Sequence, residues 1–179
     1  MTYVITPAAP EHLGALPAIE LSAATRFRSW SVPPCLFTDT TAMETLRVAQ
    51  ADGLLWVALT PAGQPVGFAL ASASGARLYL EELDVSAEHG GQGLGLALLA
   101  AVERRAATAG FVEIALTTYR DVPWNAPFYL RHGFEPADGC DTGLNARLLK
   151  EASRGLDSLP RVALRKRVDR PASTSSGSA

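Results

Sequence analysis

Residues 78–99 read LYLEELDVSAEHGGQGLGLALL, an apolar strand interrupted by Glu81, Glu82 and Asp84 that runs through a glycine-rich turn straight into a helix. Gly90, Gly91, Gly93 and Gly95 lack a Cβ, so the backbone can close around an anion there. The first turn of the following helix adds N–H groups without internal acceptors, reinforced by the helix dipole. The segment therefore implies a site for a phosphorylated ligand. A dinucleotide fold places such glycines directly after a strand of nearly continuous apolar residues. Here three acids break the strand and Ser86 to His89 intervene before the first glycine. No Gly-x-x-x-x-Gly-Lys-Ser/Thr pattern is present for a nucleoside triphosphate. Glu113, twenty residues beyond Gly93, leaves the dinucleotide alternative open.

Upstream of this stretch, residues 54–60, 66–73 and 77–85 have the composition of strands. The turns between them, at Pro61-Ala62-Gly63-Gln64 and Ser74-Gly75-Ala76, are short enough to require antiparallel pairing. Residues 3–6 form a first strand and 10–25 a helix kinked at Pro17, while Thr41 and Glu44 make a capping box for a helix ending near Gly53. Downstream, a helix over 93–109 sets Leu94, Ala97, Leu98, Ala101 and Val102 on one face and stops at Gly110. A strand at 112–117 follows, and the intervening helix lets it run parallel to 77–85. A short helix at 125–131, a strand starting at Phe134, a helix at 144–152 and a closing strand at 161–168 complete the pattern, with Arg165, Lys166 and Arg167 read as a solvated face.

The run Gly90-Gly91-Gln92-Gly93-Leu94-Gly95 resembles the coenzyme A motif of the GNAT family of N-acetyltransferases: Arg or Gln, two residues, Gly, one residue, then Gly or Ala, between strand and helix. Gly90 stands where the family has Arg or Gln, which shifts pyrophosphate contacts onto the backbone. Asn125-Ala126-Pro127-Phe128-Tyr129-Leu130-Arg131-His132-Gly133-Phe134 resembles the second signature, an aromatic-Tyr pair followed by Gly-Phe. The two signatures occur in the family's order, about thirty-five residues apart. The resemblance implies an α/β (α+β) fold with a central mixed, mostly antiparallel sheet of about seven strands, a splayed parallel pair, and helices on both faces. It also implies acetyl-coenzyme A as cosubstrate and no metal. The acetyl group would pass to a primary amine of a small molecule or peptide by direct attack, without a covalent enzyme intermediate. By the same resemblance, Gly90, Gly91, Gln92, Gly93, Leu94 and Gly95 hold the pyrophosphate, and Leu83 and Val85 offer main-chain contacts to the pantetheine arm. Asn125 and Phe128 complete the cofactor side, although the family's asparagine commonly stands three residues earlier, where this chain has Val122.

Tyr129 matches the position of the family's tyrosine general acid, the donor to the leaving thiolate. For the base that deprotonates the amine, Glu81 is the first choice and Glu82 the second. Strict strand alternation would set Tyr79, Glu81, Leu83 and Val85 on one face and Leu80, Glu82 and Asp84 on the other. Trp30 and Trp124 are candidates for the acceptor-pocket wall. His89 reads as polar surface, and His132 as an imidazole at a helix C-terminus.

The composition agrees with one domain over residues 1–170 and a disordered tail at 171–179. A net charge of −2 provides no field for duplex nucleic acid, and no apolar run is long enough to span a bilayer. Cys35 and Cys140 lie far apart and read as reduced thiols, which fits a cytoplasmic setting. Acids near the cleft favour a cationic acceptor, and a homodimer is compatible with the sequence. The alternatives are a non-catalytic acyl-coenzyme A sensor and an acetyltransferase directed at protein or transfer RNA.

Overall fold

The computed structural model describes residues 2–169. The tail at 171–179, expected to be disordered, lies outside the described residues. Strands β1 (Val4–Pro7), β2 (Leu55–Leu59), β3 (Pro65–Ser74), β4 (Arg77–Val85), β5 (Glu113–Tyr119), β6 (Glu135–Pro136) and β7 (Arg161–Arg167) form one sheet in the order β1-β2-β3-β4-β5-β7-β6. β4 and β5 are parallel, and the other neighbours pair antiparallel. The expected mixed, mostly antiparallel sheet is therefore the one observed.

Helix α3 (Leu94–Ala109) covers one face of the sheet, burying Leu94, Leu98, Leu99 and Val102 against Ala69, Ala71, Leu78 and Leu80. Gly110 ends it in a left-handed conformation at φ +79°. α1 (Leu16–Ala24) and α2 (Met43–Ala51) cover the other face over Val57, Phe68 and Leu70. α5 (Thr142–Ser153) lies farther along that face, with Leu144 on Tyr79, Ala115 and Ala163. Because β3 is covered on both sides, it reads as a nearly unbroken apolar run.

Three local expectations are corrected. Pro17 does not kink a long helix. The chain makes a separate 3-10 turn over Pro10–Ala15 and begins α1 at Leu16, which places Pro17 in a first turn where a missing N–H costs nothing. Thr41 caps nothing: α2 starts after Ala42 without a side-chain cap, and the Thr41 N–H instead donates to Glu20 Oε2 at 2.9 Å. The basic strand is not simply solvated, since the Lys166 Nζ donates to Glu103 Oε1 at 2.8 Å and Arg165 lies 3.3 Å from Glu135. Those side chains tie β7 to α3 and β6.

Two departures from regular pairing create the functional region. Along β3 and β4 the register runs Phe68↔Asp84, Leu70↔Glu82, then Ala71↔Leu80, so Glu81 is an extra residue with no partner. Such a β-bulge switches the faces of everything beyond it. Leu78 and Leu80 face α3, and after the bulge so do Leu83 and Val85, whereas Glu82 and Asp84 pair with Phe68 and Leu70 on the α1–α2 side. Strict alternation along the whole strand is thus overturned. The second departure is that β4 and β5 pair only at Arg77↔Glu113, Leu78↔Ile114 and Tyr79↔Ala115. Beyond Tyr79 they diverge. Arg77 clamps the closed end, 2.7 Å from both Glu113 and Asp141.

Candidate active site

The divergence opens a cavity of about 300 Å³. Leu80, Glu82, Leu83 and Asp84 form one wall, Leu116 to Tyr119 the opposite wall, and Glu20, Phe27, Asn125 and Tyr129 close it. Residues from α1, β4, β5 and α4 (Ala126–Arg131) thus meet because two strands fail to stay paired.

The acids on this side of β4 differ in their partners. Glu81, the bulged residue, receives two hydrogen bonds from Arg147 of α5, at 2.6 and 2.8 Å, and one from the Ser72 hydroxyl. Arg147 in turn stacks on Tyr79 with its guanidinium carbon 3.9 Å from the ring centre. Glu82 and Asp84 have no such support. Burial raises both carboxyls, Asp84 to about 7 with Glu20 adding to the rise, and Glu82 well above its ordinary range with Asp84, Glu20 and Glu81 adding. Arg26 partly offsets the effect at Asp84, and Arg161 does so at Glu82. Glu20 is also raised by burial, against the bond it accepts from Thr41. The cavity therefore holds one carboxyl, Asp84, that changes protonation near neutrality, beside two others raised by burial.

Tyr129 is 8% exposed and packs edge-on against Phe128 and Phe134, with ring centres 5.1 and 5.4 Å away. Burial pushes its phenol upward, and the charges of Asp84 and Glu82 add to that, so it stays protonated. A Cβ at Gly95 would rest 3.9 Å from Phe128 Cζ, which places the start of α3 beside α4. In the glycine loop, Gly91 and Gly93 take φ +74° and +77°, while Gly90 remains in the ordinary region. Among the described residues, the amides of Gly91, Gln92 and Gly93 meet no backbone acceptor. The amides of Leu94 and Gly95, in the first turn of α3, continue this run of main-chain donors. On the strand side, β4 from Leu80 to Val85 has no β5 partner, leaving an open edge at Leu83 and Val85. Asn125 donates from Nδ2 to Thr118 Oγ1 at 2.7 Å, and its buried Oδ1 has no partner among the described residues.

Trp30 and Trp124 do not line the cavity. They pack at 6.0 Å behind Phe27, which stands 5.4 Å from Trp124 and 5.7 Å from Tyr119. His89 accepts or donates at Tyr3 Oη, 2.9 Å away, and His132 Nδ1 donates to Phe128 O at 2.7 Å. Glu20 and Asp84 are the residues that motif reading passed over. Asp84 was visible only as an acid in a strand, and Glu20 comes from a helix some sixty residues away in sequence.

A family model described as "Acetyltransferase (GNAT) family" matches residues 24–134. The chain belongs to that family, and its class is acetyltransferase. Among solved structures, the PaiA N-acetyltransferase from Thermoplasma acidophilum, in complex with coenzyme A, superposes with a TM-score of 0.71 at 16% identity, covering 93% of this chain and 99% of that one. The ribosomal-protein-S18-alanine N-acetyltransferase from Escherichia coli gives 0.68 at 16% identity over 97% and 98% of the two chains. N-acetylglutamate synthase from Neisseria gonorrhoeae, complexed with coenzyme A and N-acetyl-glutamate, gives 0.68 at 17% identity, covering 95% of this chain and 36% of that one. At these identities the likeness speaks for the fold.

Proposed function

We propose that the chain transfers the acetyl group of acetyl-coenzyme A to a primary amine of a small molecule by direct attack, with Asp84 and Glu82 as the proton acceptors. The observation that carries this reading is the cavity where β4 and β5 part, which gathers both carboxyls and Tyr129 beside the open edge of β4.

The residues present fit the cosubstrate. The amides of Gly91, Gln92, Gly93, Leu94 and Gly95 suit a pyrophosphate. The open edge at Leu83 and Val85 suits an extended amide-bearing arm, and the unpartnered Asn125 Oδ1 together with Phe128 adds a further contact. Bound acetyl-coenzyme A supplies the thioester. Asp84 and Glu82 take a proton from the acceptor's ammonium. The freed nitrogen then bonds to the acetyl carbon as the C–S bond breaks, and the second proton shed by that nitrogen passes to the departing sulfur, so that coenzyme A leaves as the thiol and the product is the neutral amide. An acid raised to about 7 is matched to this task, since it is substantially ionised at neutral pH yet still basic enough to accept the proton. Tyr129 acts as a hydrogen-bond donor to the departing sulfur. Its raised phenol cannot protonate a thiolate downhill, because thiols titrate near ~8.5. Glu81, held by Arg147, braces the bulge that aims Glu82 into the cavity. The two free cysteines, Cys35 and Cys140, suit a reducing cytoplasmic setting.

The test is release of free thiol from acetyl-coenzyme A in the presence of an amine panel, followed across pH. We expect kcat/KM to rise with pH to a plateau above about 7, the value at which Asp84 ionises. D84N should lose roughly 10²- to 10⁴-fold in kcat/KM. Undiminished turnover by D84N would overturn the assignment.

A further inference from the structure

We propose that the acceptor is a linear amine carrying a second ammonium, held by Glu20 while the first is presented to Asp84. This inference rests on the acetyltransferase reading of the cavity and names its substrate class.

The carboxylates of this chain divide into those with cationic partners and those without. Glu81, Glu103, Glu113, Glu135, Asp141 and Glu151 each lie within 4 Å of a cationic side chain. Among the described residues, Glu20, Glu82 and Asp84 do not. Four acids without a cation within 4 Å among the described residues, Glu20, Asp39, Glu82 and Asp84, thus line one cavity; of the arginines that line it as well, Arg147 and Arg161 are already paired with Glu81 and Glu151, and Arg154 stands beside them. Deprotonating one amine needs one carboxylate, or a pair that shares the proton. Glu82 and Asp84 already provide that pair, and Glu20, with Asp39 at the rim it shares with the neighbouring groove, is left over.

Two further observations point to a ligand at the same place. Asp84 Oδ2 is buried and, among the described residues, has no hydrogen-bond partner. Tyr119 is 3% exposed and lines the cavity under Arg161, whose guanidinium carbon stands 4.7 Å from the ring centre, and among the described residues its hydroxyl has no hydrogen-bond partner. Buried polar atoms are rarely left unsatisfied, and here an acceptor oxygen and a phenol suit the donors of an ammonium.

Glu20 also stands at a junction. It lines both this cavity and a wider groove of about 820 Å³ that runs between α2, β3 and α5. Asp39, Glu44 and Asp52 join Glu20 in lining that groove, against Lys150 and Arg154. Once the first ammonium has given up its proton, a monoamine offers Glu20 no compensating charge. A second ammonium reaching back toward the groove does.

The experiment compares initial rates on matched pairs, diaminobutane against butylamine and diaminopentane against pentylamine, using the full chain and acetyl-coenzyme A, in the parent and in E20Q. Coenzyme A binding is measured alongside by calorimetry. We expect kcat/KM for at least one diamine to exceed that of its monoamine by about tenfold or more, as one well-placed charge contact provides. E20Q should bring that ratio toward one. A parent ratio near one for both pairs overturns the proposed substrate class, whether or not E20Q folds. A high ratio that survives in folded E20Q overturns the role of Glu20. Coenzyme A binding without diamine preference defeats this inference alone, whereas no binding defeats the acetyltransferase reading beneath it.

Discussion

Replacing Asp84 with Asn should make the protein more stable while disabling it. In the fold, the Asp84 carboxyl is raised from an ordinary 3.8 to about 7, mainly by burial and then by Glu20. Between those two values the folded chain holds a proton that the unfolded chain has released, so stability falls as pH rises through this window. The penalty is absent below about pH 4 and complete above about 7. A separation of about three pH units at roughly 1.4 kcal/mol each gives a ceiling of about 4 kcal/mol. Asn has nearly the same shape and no charge to desolvate, so D84N escapes this cost and also relieves Glu82. Thermal unfolding of parent and variant at a series of pH values measures the difference directly. We expect near-equal melting temperatures at pH 4 and a variant several degrees higher at pH 8, since each kcal/mol moves Tm by about 2–4 °C for chains of this size. A D84N chain less stable than the parent at pH 8, or a gap that does not widen with pH, would refute the placement of an unpaired carboxyl in this cavity.

Three further outcomes follow from particular contacts. Y129F removes one hydrogen bond to a charged leaving group and should lower kcat by about 10- to 100-fold, with coenzyme A affinity by calorimetry little altered; an unchanged kcat would exclude the phenol. G67A should destabilise by about 1–3 kcal/mol, as an overpacked site does. The new Cβ would lie 2.9 Å from the Asp84 carbonyl oxygen and 3.2 Å from Val85 Cγ2, which calorimetric unfolding would register. E81Q weakens the partly exposed pair with Arg147, so its stability should change by no more than about 1 kcal/mol. Its rate profile should keep the rise toward pH 7, and a profile stripped of that rise would return the base role to Glu81.

The glycine turn, the antiparallel meander and the parallel crossover were legible because each depends on local spacing: αL-tolerant glycines, short turns, an intervening helix. β4 itself was placed at its observed ends, residues 77–85. The bulge inside it was not legible. Glu81 and Glu82 are the same residue type, and nothing in their order says which is the extra one until Leu70 and Ala71 of the neighbouring strand are paired with them. Glu20 escaped notice for a related reason. It reaches the cavity from α1, and its link to Thr41 replaced the local capping box that the sequence suggested. Arg165 and Lys166 looked solvated because their partners, Glu135 and Glu103, lie on other elements.

The extra residue at Glu81 also sets how tolerance to substitution is distributed along β4. Before it, Leu78 and Leu80 must be apolar; after it, Leu83 and Val85 must be, so the apolar requirement passes from even to odd numbers within one strand. A saturation-mutagenesis profile of this segment should therefore carry a two-residue rhythm with a single phase slip at 81. Deleting that residue would restore the rhythm with the pairing intact, Leu80 meeting Ala71 and Glu82 meeting Leu70, so Leu83 and Val85 would stay under α3 and Glu82 and Asp84 on the cavity side.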